Sequence, residues 1–155
     1  MKKFASCILV ILLTLLICPA RSGTAQEEVL LRLEGAVLES MTREEFLALE
    51  QIEVVLTRTN SRGKTTVGTY RGVRWSELAK AIGAEEAKSI RVVASDGFEQ
   101  AYTLDVLKAP GSLFALSKDG EPITEEPQNG QIWFCASEDY TANYWTKFVA
   151  KIVVP

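Results

Sequence analysis

Twelve residues near the start of the chain, Cys7 to Cys18 (CILVILLTLLIC), are apolar without a break except at Thr14. Lys2 and Lys3 precede them, Pro19 ends the run, and small residues follow. A basic segment, an apolar segment and a small-residue site, in that order, make a secretory signal peptide. Gly23-Thr24-Ala25 puts small residues at both positions that cleavage after Ala25 requires, and a cut after Ala20 is the second choice. A lipoprotein signal needs small residues just before a cysteine, and Leu16-Ile17-Cys18 lacks them. An uncleaved anchor needs about 20 apolar residues, and the uncharged stretch Phe4 to Ala20 has seventeen. We therefore expect residues 1–25 to be a signal peptide and residues 26–155 a single domain, exported to the periplasm or the cell exterior.

That boundary decides what the fold can be built from. Cys7 and Cys18 leave with the signal and only Cys135 remains, so no internal disulfide can staple the domain. Packing alone must hold it, and the 130 residues from Gln26 to Pro155 are enough for a core. Lys2, Lys3 and Arg21 also leave, which takes the net charge from −3 to −6. Such a balance argues against nucleic acid as a partner and, after signal cleavage, against an anionic membrane. The chain has no histidine, which excludes Ser-His-Asp and Cys-His catalytic units and imidazole zinc sites. No Walker loop or Gly-x-Gly-x-x-Gly cradle is present.

The remaining chain reads as short strands with a few short helices. Residues 29–33 (VLLRL) suit a first strand. Thr42-Arg43-Glu44-Glu45 is a capping box that opens a helix through Phe46, Leu47 and Leu49, with Phe46 and Leu49 on one face. Residues 52–59 and 65–70 form a hairpin across the turn residues 60–63 (NSRG). Ser76 starts a helix with Leu78, Ala79 and Ile82 inward, and Gly83 ends it. Residues 90–94 and 98–103 pair across Asp96-Gly97. A brief helix or turn spans residues 104–109 before Pro110-Gly111, and short strands follow at 113–117 and 132–136. Residues 138–143 are a polar loop, and residues 145–154 close the chain as a strand alternating around Phe148, Ala150 and Ile152. This pattern predicts an α+β fold with mixed or antiparallel sheets.

Four segments, in order, resemble the molybdopterin-binding oxidoreductase domain of the sulfite oxidase fold in a small exported form. They are the early helix at residues 42–49 and the Gly72-Val73 segment within residues 70–78 (YRGVRWSEL). The other two are the Asp-Gly turn within residues 94–98 (ASDGF) and the closing residues 145–152 (WTKFVAKI). The resemblance covers most of residues 28–155. It implies the sulfite-oxidase-like fold, molybdopterin as cofactor and oxidoreductase chemistry. The family holds its molybdenum through a cysteine upstream of the Gly-Val segment. Here the one cysteine outside the signal, Cys135, lies far downstream in an apolar segment (IWFCA).

Cys135 has two readings, a metal-ligating or redox thiol and a buried small hydrophobe. Its neighbours Ile132, Trp133 and Phe134 favour the second. Arg71 and Arg74 flank Gly72-Val73 as guanidinium forks suited to a phosphate or carboxylate, or as solvated loop cations. The resemblance would turn them toward a pterin phosphate. Asp96 can set a carboxylate at a pocket rim or simply make a hairpin turn. Tyr140, Tyr144, Trp145 and Lys147 form an aromatic, partly basic cluster that suits a flat ligand such as a pterin or a sugar, or else covers the end of the core. The candidate cofactor-binding residues are thus Arg71, Arg74, Asp96, Tyr144, Trp145 and Lys147, with no catalytic or metal-ligating residue. The adjacent carboxylates Glu125-Glu126 and Glu138-Asp139 read as acidic surface rather than as an acid and base across a cleft.

The functional expectation is an exported module that binds a small-molecule ligand or an exported partner protein and lacks the molybdenum-ligating cysteine. The alternative is a small molybdopterin-dependent oxidoreductase that keeps its pterin.

Overall fold

The structure, a computed structural model, describes residues 28–123 and 131–155. Residues 1–25, expected to be a signal peptide, and Glu125-Glu126 lie outside the described residues.

In chain order the elements are β1 (Val29–Glu34), β2 (Ser40–Thr42), α1 (Arg43–Ala48), β3 (Gln51–Thr59), β4 (Thr65–Val73) and α2 (Trp75–Ile82). They continue with β5 (Ser89–Ala94), β6 (Glu99–Thr103), α3 (Leu104–Lys108), β7 (Leu113–Lys118), β8 (Glu121–Pro122), β9 (Ile132–Cys135) and β10 (Thr146–Val153). The fold is α+β. One path of strands runs β2-β1-β10-β9-β7-β4-β3, with β5 and β6 joined through β10 and β8 joined to β7. The β1–β10 pair is parallel and the other pairs are antiparallel.

Strand β10 organises the sheet. Val149 pairs with Ile132 of β9 on one edge and Ala94 of β5 on the other. Further on, Ile152 pairs with Leu33 of β1 and Val92 of β5. One edge of β10 therefore serves β9 and then β1. The register shifts on both edges around Val149, and Phe148 stands at φ 55°, a left-handed conformation that costs a bulky residue energy. The extra residue overturns the expected alternation. Thr146, Val149 and Ile152 are buried, whereas Phe148 and Ala150 are half-buried.

Other boundaries move for local reasons. The hairpin pairs residue for residue from Gln51–Val73 to Thr59–Thr65, so β4 continues past Tyr70 and Arg71 lies within a strand. Gly72 allows this, because a Cβ there would run into the Phe114 carbonyl and Ala115 of β7. The Thr42–Glu45 capping box forms in both directions, but the helix stops at Ala48 and Leu49 is extended. Gly83 closes α2 at φ 71°.

The core lies over the all-buried strands. Leu113, Phe114, Ala115 and Leu116 of β7 and the whole of β9 are shut from solvent. Phe134 contacts Phe114 at 4.9 Å and Tyr102 at 4.4 Å between ring centroids. Trp75, Leu78 and Ile82 bring α2 onto this layer. No helix among the described residues is long and apolar enough to cross a membrane.

Candidate functional site

The C-terminal end of β3 faces the loop between β9 and β10 across an open cleft of about 730 Å³. Residues 57–61 make one wall, and residues 138–143 with Trp145 make the other. Each wall is braced from within. Asn60 Oδ1 accepts from the backbone N–H groups of Arg62 (2.9 Å) and Lys64 (3.0 Å), which holds the hairpin turn. The far wall is anchored by the Ser137 N–H donating to the Ser112 hydroxyl (2.9 Å) and turned by Tyr140 N–H donating to the Ser137 carbonyl (3.0 Å). A 3-10 turn at Ala142–Tyr144 then delivers Trp145. The Thr57 N–H donates to Glu138 Oε1 at 2.6 Å, a link between the walls.

Trp145 is 7% exposed and forms the inner end of the cleft. Tyr70 meets its ring edge-on at 5.2 Å, and the Arg58 guanidinium lies over it at 5.7 Å. Arg58 is half-buried, and among the described residues its side chain makes no ion pair and no hydrogen bond. Both cleft carboxylates are already engaged, Glu138 by Thr57 and Asp139 by the Ser137 hydroxyl at 3.3 Å. Tyr140, half-buried, packs against Tyr144 at 5.1 Å.

The residues expected from sequence are scattered. Trp145 lines the cleft together with Tyr140, and Tyr144 supports it from behind the latter ring. Arg71 is exposed on β4, opposite Glu53 and on the face away from Tyr70. Arg74 is exposed at the start of α2 and makes no side-chain cap. Asp96 sits in the β5–β6 turn, where its carboxylate accepts from the Phe98 N–H at 3.0 Å. Lys147 lies half-buried with its Nζ 4.1 Å over the Trp133 ring. None of Arg71, Arg74, Asp96 and Lys147 lines the cleft. Arg58 was not anticipated; its signal was a charged residue at an inward position of a strand, two beyond buried Leu56.

Cys135 is 0% exposed beneath this region. Burial pushes its thiol pKa well up, against the opposing pull of Arg58, Lys118 and Lys147. Its Sγ meets the Trp133 carbonyl at 3.9 Å. A sealed thiol held in its neutral form does not offer the thiolate that ligation needs, and no group of three His, Cys, Asp or Glu among the described residues can hold a metal ion. The residues described here do not fit the thiolate-bound molybdenum centre that the sequence resemblance implies.

The architecture is a sulfite-oxidase-like α+β fold. Among solved structures the chain matches the sulfane dehydrogenase SoxCD from Paracoccus pantotrophus, with a TM-score of 0.68 and 15% identity over 83% of its length. It spans 38% of that chain. No family model and no curated protein matches the sequence.

Proposed function

We propose that this chain is an exported small-ligand-binding module on a sulfite-oxidase-like scaffold, and that its binding site is the Arg58–Trp145 cleft. The observation that carries the reading is a half-buried guanidinium with no acceptor among the described residues, over an indole, in a cleft large enough for a small molecule. Sealing of Cys135 supports binding without the metal thiolate. The protein would keep a family scaffold and use it for recognition, since fold alone does not fix chemistry.

The second reading, a small oxidoreductase with a bound pterin, is favoured by the likeness to a sulfane dehydrogenase. Purification from a molybdenum-replete host separates the two. Metal analysis and an absorption spectrum are expected to show substoichiometric molybdenum and no pterin band. One molybdenum per chain would overturn the binding-module reading. Export after cleavage at Ala25 belongs to the same proposal. The intact mass of the secreted protein is expected to start at Gln26, and a mass that includes Met1 would refute cleavage.

A further inference from the structure

We infer that the cleft recognises an acidic sugar, an oligosaccharide unit bearing a carboxylate; this rests on the cleft being a ligand site. The argument begins with what the lining offers. Arg58 is a planar cation with no acceptor among the described residues, and a guanidinium matches a carboxylate with two parallel hydrogen bonds. The carboxylates nearby do not fill that role: among the described residues neither Glu138, which accepts from Thr57, nor Asp139, which accepts from Ser137, forms an ion pair with Arg58.

Apart from Arg58, Glu138 and Asp139, the wall is polar and uncharged. Ser61, Thr141 and Asn143 present hydroxyl and amide groups that both donate and accept. Ligand hydroxyls need that mixture, because each one also donates and accepts. Tyr140 adds an amphipathic ring suited to the apolar C–H face of a pyranose. A flat heteroaromatic ring needs an open aromatic face to stack on. Trp145 does not offer one: the Arg58 guanidinium lies over the ring, Tyr70 packs against it in a T-shaped pair, and 7% of the residue is exposed. Volume agrees, since about 730 Å³ falls in the range of sites for drug-sized ligands.

The test is an NMR titration of the mature protein with three sets of probes. They are uronic-acid dimers and trimers (galacturonate, glucuronate and mannuronate), their neutral counterparts, and 6-carboxypterin. At least one uronate should shift the amides of residues 57–61 and 138–143 and the Trp145 indole, saturably. Its neutral counterpart should bind at least tenfold more weakly. Arg58→Gln should remove that tenfold preference, and Asn143→Ala should weaken both sugars while Lys108→Gln changes neither. Asn143→Ala keeps the site testable if the Arg58 variant does not fold. Equal binding of acidic and neutral sugars overturns the inference. Binding of the pterin alone also overturns it and leaves a ligand-binding module standing. No shift with any probe overturns both the inference and the cleft as a binding site.

Discussion

Cys135 shows how environment sets the chemistry of a side chain. A thiol in water ionises in mildly alkaline solution and reacts as the thiolate; in the buried strand β9 the thiolate has no solvation and the proton stays. For the chain from Gln26 to Pro155, the expected outcome with a thiol reagent is no reaction of the native protein at pH 8 over minutes and one thiol per chain in guanidinium. Rapid native labelling would refute the sealed environment. Replacement by serine puts a hydroxyl in the same closed space and should cost about 1–3 kcal/mol in urea unfolding. Burial of this residue was legible from its apolar neighbours. Arg58 was not, because its charge hides the fact that it continues the inward face of β3.

At the scale of elements, the capping box is a case where local sequence decides local structure. The Thr42 hydroxyl accepts from the Glu45 N–H at 3.2 Å, and Glu45 Oε2 accepts from the Thr42 N–H at 2.8 Å. With only six residues, α1 depends on these bonds and on Phe46. Thr42→Ala should lower stability by about 1 kcal/mol, read as a lower urea midpoint at unchanged slope. An unchanged midpoint would mean that packing of Phe46 alone holds the element. Strand β10 is the opposite case. Its letters alternate around Phe148, but pairing with β9, β5 and β1 inserts a bulge and moves the buried set to Val149. No local preference signals that shift, since Phe148 accepts a disfavoured φ for the sake of its neighbours' pairing.

Across the whole molecule, two buried phenols tie folding to pH. Burial raises both Tyr70 and Tyr102 from the ordinary value of 10.0 to about 12. Tyr102 also donates to the Tyr144 carbonyl at 3.0 Å and meets the Thr146 hydroxyl at 2.6 Å, so it ties the end of the cleft loop and the start of β10 to β6. A raised pKa means that the native chain keeps protons the unfolded chain has lost. Stability is therefore full below pH 10 and falls as the pH climbs toward about 12. Unfolding free energy should decline across that window, and Tyr102→Phe should make the decline shallower while lowering stability below pH 10 by about 1–2 kcal/mol. A decline unaffected by Tyr102→Phe would assign the pH dependence to other groups.

The sequence by itself determined the local matters: which segments are strands, where Thr42 and Gly83 bound helices, and that the fold is α+β with a cysteine in its core. Periodicity, caps and turn residues act over a few positions and need no distant partner. Only the tertiary structure decided the candidate site. It brought residues 57–61 against residues 138–145, some eighty positions later, and left Arg71, Arg74 and Asp96 elsewhere on the surface. The physical reason is that strand order and register, set by packing over the whole sheet, choose which side chains meet.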